Sequence, residues 1–210
     1  MRFKRSALAA TCAAVLVSGS LAFTAVSANS SKSPAPQDEG PTVLTVDPSD
    51  GTRVTTDALD NVEKKVGEAA VLADDSGKRL FSIEVQHVTR TSNCPARVGS
   101  FTMKPDRKTF LVLDVVATMD QRITNEVDLA KDDVFMPLVA QAFSVMGTNG
   151  VIDREVASEA SWGCYADDVL APAMITPGQK VHGKIVLDVP YSSGTVVYDP
   201  NNNGGWSWPY

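Results

Sequence analysis

Thr176-Pro177-Gly178-Gln179-Lys180-Val181-His182-Gly183-Lys184-Ile185-Val186-Leu187-Asp188-Val189-Pro190 is the stretch that decides the fold. Pro177 and Gly178 suit the two central positions of a type II turn, because proline pre-sets a negative φ and glycine accepts a positive one. Beyond the turn, Val181, Gly183, Ile185, Leu187 and Val189 share one face at period two, with His182, Lys184 and Asp188 on the other. Val186 is the apolar exception on the polar face. Pro190 has no N–H to give a ladder and closes the segment. The pattern is that of a half-buried antiparallel strand, and it speaks of sheet architecture rather than of chemistry.

Working outward, the same period returns. Ala69 to Leu72, the turn residues Asp74-Asp75-Ser76-Gly77 and then Leu80 to Val88 predict a hairpin, with Phe81, Ile83 and Val85 opposite Ser82, Glu84 and Gln86. Thr109 to Met119 is apolar on both faces (Leu111, Leu113 and Val115 against Phe110, Val112 and Val116), which places it in the middle of a sheet. Asp114 interrupts it. Because a buried unpaired charge is prohibitive, its carboxylate is expected to bond to backbone or to a hydroxyl near the strand edge. Val139 to Met146, Gly147-Thr148-Asn149-Gly150 and Val151 to Val156 predict a second hairpin. Ser192-Ser193-Gly194 then turns into Thr195 to Tyr198, and Asn201 to Gly205 turn into Trp206 to Tyr210. Thr91 to Asp106 and Ser158 to Ala173 read as loops. The expected fold is all-β, an antiparallel β-sandwich of about seven to nine short strands.

The N-terminal part reads differently. Arg2, Lys4 and Arg5 are basic, Ala7 to Ala25 carry no charge, and Val26-Ser27-Ala28 offers small residues where a signal peptidase reads, so residues 1–28 are expected to be a signal peptide. The uncharged run is rich in Ala, Ser, Gly and Thr rather than in Leu and Ile, which argues against a retained membrane anchor. Cys12 lies too early for a lipid-modified cysteine, and Ala9-Ala10-Thr11 is a poor lipobox. Residues 29–41 combine Pro, Ser and charge without an apolar residue larger than Ala, and are expected to form a flexible spacer. In the extension at residues 42–66, Asp57 is a plausible N-cap, and Leu59, Val62 and Val66 recur at helical spacing. That pattern predicts a short helix from Asp57 to Val66. Residues 67–210 are the domain proper. Removing Arg2, Lys4 and Arg5 from 19 basic residues leaves 16 against 25 acidic ones, so the formal charge moves from -6 to -9. An acidic exported chain repels nucleic acid and anionic lipid. No second stretch approaches membrane length, and no membrane insertion is expected after cleavage.

The run Pro177-Gly178-Gln179-Lys180-Val181 through Gly183, with Leu187-Asp188-Val189-Pro190, resembles a large family of bacterial exported domains of immunoglobulin-like fold, labelled only as a domain of unknown function. Lys65-Val66-Gly67-Glu68, Phe81-Ser82-Ile83-Glu84-Val85, the Phe110 to Thr118 strand and Phe143-Ser144-Val145 with Asn149-Gly150 come in that family's order. The resemblance covers about Val66 to Tyr210, and it is similar in turn to the mycobacterial secreted immunoprotective antigens. It implies an immunoglobulin-like sandwich at residues 67–210, no cofactor and no catalytic residue. Such motifs carry fold, not activity.

Cys94 and Cys164 alone survive signal removal, and an even count in an exported chain reads as a disulfide. Both fall in predicted loops. Ser161-Trp162-Gly163-Cys164 partly resembles the cysteine signature of L,D-transpeptidases, which makes Cys164 the nucleophile of an alternative, cell-wall enzyme reading. That family has a His where Trp162 stands and an Arg just beyond the Cys, where this chain has Tyr165 and Ala166. A thiolate needs a base to activate it. No other enzyme motif is present, and the only histidines are His87 and His182. Cys94, Cys164, His87 and His182 lack any paired spacing for zinc, so no metal is expected. Asp74-Asp75, Asp132-Asp133 and Asp167-Asp168 read as solvated turn acids rather than as a calcium site. Trp206, Trp208 and Tyr210 alternate, so a final strand presents all three rings on one face. They are either a candidate platform for sugar rings or the closure of the core. Together these features predict an exported, non-catalytic domain that binds a protein or a cell-envelope component.

Overall fold

The computed structural model describes residues 44–46, 53–57, 59–127, 130, 133–202 and 204–210. The expected signal peptide at residues 1–28, the expected spacer at residues 29–41 and Asp132 lie outside the described residues. Strands β1 (Leu44–Val46) and β2 (Arg53–Thr55) pair antiparallel. β3 (Val62–Glu63), β4 (Ala69–Ala73) and β5 (Arg79–Thr91) follow. β6 (Cys94–Pro95) and β7 (Thr102–Met103) form a small hairpin ahead of β8 (Thr109–Met119). Helix α1 (Ile123–Glu126), β9 (Met136–Pro137) and a 3₁₀ turn (Ala140–Ala142) lead to β10 (Phe143–Gly147) and β11 (Ile152–Asp153). Helix α2 (Glu159–Trp162), β12 (Met174–Ile175), β13 (Lys180–Val189), β14 (Gly194–Tyr198) and β15 (Trp206–Pro209) complete the chain.

Two sheets carry the fold. One runs β13-β8-β5-β4 and the other β11-β10-β14-β15-β3, nine strands in all, so the expected all-β sandwich forms. Pairing is antiparallel except between β15 and β3. β13 begins as predicted: Gln179 N donates to Thr176 O at 3.2 Å, and Gly178 holds φ at +86°, the value a type II turn requires. It then pairs with β8 from Lys180 opposite Thr118 to Val189 opposite Thr109, which makes β8 an interior strand. Ile83, Val85, Leu113, Val115 and Leu187 meet Val145, Val196, Tyr198 and Trp208 of the facing sheet in one buried cluster. Burial of each large apolar side chain stabilises the fold by about 1.5–3 kcal/mol.

The three C-terminal rings point inward. Trp208 is fully buried, and Trp206 packs 6.4 Å from Phe81 and 6.3 Å from Tyr198 between ring centroids. Tyr210 packs against the same cluster. The alternation therefore closes the sandwich, and the candidate platform of Trp206, Trp208 and Tyr210 is not formed as an exposed surface. Tyr198 lies deeper, 4.9 Å from Phe143, and its hydroxyl donates to Pro137 O at 2.9 Å. Burial pushes its phenol well above the usual range.

A second buried cluster forms on the opposite face of the β13 sheet, from Cys94, Phe110, Val112, Ala160, Cys164 and Val186. It accounts for the apolar exception at Val186 and for the two apolar faces of β8. The face is covered by a layer of its own, made from the segments read as loops. Asp188, on that same face, is completely buried rather than solvated. Its carboxylate accepts from Asp106 N at 2.8 Å, Arg107 N at 3.2 Å and the Ser158 hydroxyl at 2.7 Å. Ser158 in turn caps α2, accepting from Ser161 N at 3.0 Å. Asp188→Ala is expected to lower unfolding free energy by about 2–4 kcal/mol, since two backbone donors lose a charged acceptor inside the protein. Urea denaturation measures it, and a loss below about 1 kcal/mol would contradict this role.

Two further expectations need correction. The described residues of that segment, 57 and 59–66, are not helical: Asp57 Oδ1 accepts from Leu59 N at 2.9 Å and Asn61 N at 3.1 Å, closing a local turn, and Val62 pairs with Trp206. The side-chain bond that suggested an N-cap serves a turn instead. Asp114 bonds neither backbone nor hydroxyl but the ammonium of Lys184, at 2.6 Å, directly across the β8–β13 register.

Candidate functional site

Cys94 and Cys164 are joined, with Cα atoms 5.6 Å apart, and both are buried. The two segments also share backbone bonds: Tyr165 N donates to Pro95 O at 2.9 Å and Arg97 N to Gly163 O at 2.7 Å. Rather than lying free in loops, the cysteines thus sit within a small antiparallel pairing laid over the β13 sheet. A disulfide leaves no thiolate, so Cys164 cannot be the nucleophile of a transpeptidase, and neither cysteine is available to zinc. His87 and His182 sit on β5 and β13, either side of β8, both exposed. Among the described residues no group of three or more His, Cys, Asp or Glu could hold a metal. Asp74 is occupied by its own turn, accepting from Ser76 N at 2.8 Å and Lys78 N at 3.0 Å.

Between this layer and the edge of the sandwich lies a cleft of about 380 Å³. Its outer wall is Trp162, at the end of α2, with the capping box of Ser158 and Ser161 fixing the helix start. Ala160 and Cys164 turn into the second cluster, which leaves the Trp162 indole 49% exposed. The opposite wall is Leu138 to Ala140, and Leu170 to Ala173 close one end. The floor is the edge of β13 at Lys184, Ile185 and Val186.

Charge at the rim is paired. Arg97 Nε donates to Asp167 Oδ1 at 2.6 Å and a second guanidinium nitrogen to Trp162 O at 3.3 Å, tying the rim to the indole-bearing helix. Lys184, bonded to Asp114, also stands 6.0 Å from the centroid of Tyr165. Tyr165 takes φ of +58°, a rare value for a bulky residue, held there by the disulfide before it and its bond to Pro95. The pairing of Cys94 with Cys164 was expected from the sequence, but Trp162 had stood out only as a departure from the transpeptidase signature, and nothing pointed to the cleft. Arg97, Asp167, Lys184 and Leu138 come together only through the disulfide and the β8–β13 pairing, and no local spacing announces that.

No family model and no curated protein matches the chain. Among solved structures, the chain is similar to a secreted protein of Mycobacterium tuberculosis, MPT63, determined at 1.5 Å resolution. The TM-score is 0.44 at 14% sequence identity, over 71% of this chain and 98% of that one.

Proposed function

We propose that this chain is an exported, non-catalytic immunoglobulin-like domain that binds a protein or cell-envelope component in the cleft beside Trp162. The observation that carries the reading is the indole. Of the three tryptophans, Trp208 is fully buried and Trp206 packs on the core, whereas Trp162 stands half-exposed at a concave apolar site. Clefts of this size with an aromatic wall and a few placed polar groups are the usual form of a binding site. The rim ions Arg97, Asp167, Lys184 and Asp114 are engaged with one another, which suits recognition better than proton transfer. Export rests on the residue 1–28 pattern. No helix among the described residues is long and apolar enough to cross a membrane.

Trp162→Ala tests it. Stability should fall by only about 1–2 kcal/mol, because only half of the ring is buried. Retention of the purified protein on cell-envelope fractions at physiological salt should fall at least about tenfold, as expected when an aromatic anchor is lost. Equal retention of both proteins would overturn the cleft as the binding site.

A further inference from the structure

We propose that the cleft receives an extended peptide, which pairs with the outer edge of β13 at Val186 and seats an apolar side chain against Trp162. This rests on the reading of the cleft as a binding site and names what it binds.

The period of β13 decides which backbone groups face the cleft. Val189 O turns toward the β8 side, accepting from Lys108 N at 3.3 Å. Even-numbered residues turn outward. Lys184 N donates to Val169 O and Lys184 O accepts from Ala171 N, both at 2.9 Å, so residues 169–171 lie beside β13 as a short parallel strand. Asp188 N donates to Val156 O at 2.8 Å. Val186 falls between these two covered positions, with the same outward orientation, and among the described residues neither its N–H nor its C=O has a partner there. Val186 is 94% buried, counting from its 6% exposure, and it lines the cleft. Buried backbone donors and acceptors are almost always paired in folded proteins, so an open pair at the floor of a cleft is a recognition feature.

The arrangement of donor and acceptor selects the occupant. An N–H and a C=O presented by one strand residue match the complementary pair on an extended chain, as Val169 and Ala171 demonstrate two residues away. Lys184 to Asp188 spans about 13 Å at ~3.3 Å per residue, room for one paired residue and its flanking peptide groups. Trp162, Leu138, Val139, Leu170 and Pro172 surround the adjoining space. With the rim charges paired among themselves, the side chain that enters is uncharged and apolar. His182 has the same outward orientation, but it is exposed to water and stands outside the cleft.

The test uses ¹⁵N-labelled protein, following the Val186 amide and the Trp162 indole together. The probes are acetylated, amidated pentapeptides scanned at the central position, with N-acetylglucosamine oligomers as a sugar arm. Peptides with Leu, Ile or Phe at the centre should shift both signals, and N-methylation within the paired residue should weaken binding at least about tenfold. Val186→Pro removes the outward N–H while sparing the bonds to β8, and should weaken binding similarly; His182→Pro removes an outward N–H of the same strand outside the cleft and should bind as the native protein does. Movement of Trp162 with sugars while Val186 stays still would overturn the peptide inference and leave the cleft as a binding site. Silence of both signals with every probe would overturn both.

Discussion

Replacing both Cys94 and Cys164 with Ala is expected to lower the unfolding free energy by about 4 kcal/mol, the chain-entropy value for a bridge across a separation of 70 residues. The loss should not be spread evenly. The sulfurs lie inside the second cluster, among Phe110, Val112, Ala160 and Val186, so their removal loosens the layer first and the nine-strand sandwich later. Amide exchange should accelerate at residues 94–103 and 159–170 before it does in β5 or β8. Urea denaturation of oxidised protein and the double variant gives the magnitude, and exchange measured by mass spectrometry gives the location. Uniform acceleration across β5, β8 and the layer would show one cooperative unit instead.

Trp208→Ala is expected to destabilise by about 3–5 kcal/mol, the range for deleting a large aromatic from a packed interior. Trp208 is fully buried, opposite Val196 of β14, on a strand whose other neighbour is the two-residue β3. Little nearby can move in to fill the space. A thermal midpoint lowered by about 10 °C or more is the expected result. The contrast with Trp162→Ala, expected to cost only about 1–2 kcal/mol, is the sharper check: similar effects on stability at both positions would contradict the division between a core ring and a binding ring.

What could be read from sequence followed locality. The β13 pattern, the Pro177-Gly178 turn, the Asp74 to Gly77 turn and the Asn149-Gly150 hairpin all announce themselves within a few residues, and each forms. Val186 and the two apolar faces of β8 were visible signals whose cause was not. Only the disulfide, linking segments far apart in the chain, places a covering layer there. Asp188 looked solvated because its alternation put it on the polar face, and nothing nearby reveals that Asp106, Arg107 and Ser158 converge on it. The helix expected at Asp57 to Val66 shows the opposite failure: a locally persuasive spacing lost to a long-range partner, Trp206, that draws Val62 into a sheet. The cleft belongs to the same class, since its walls come from residues 97, 138–140, 161–173 and 184–186.

The way the sheets end bears on edge-to-edge strand association. β11 and β3, the edges of the five-stranded sheet, are two residues long, too short to template a foreign strand. β4 breaks its register with a bulge between Leu72 and Ala73. β13 is the long edge, and it is blocked at Lys184 by residues 169–171 and at Asp188 by Val156. Its exposed stretch at His182 follows the exposed Lys180, a charge that discourages edge-to-edge aggregation. The opening at Val186 is therefore a single rung: enough to grip one passing segment, and too little to start a fibre.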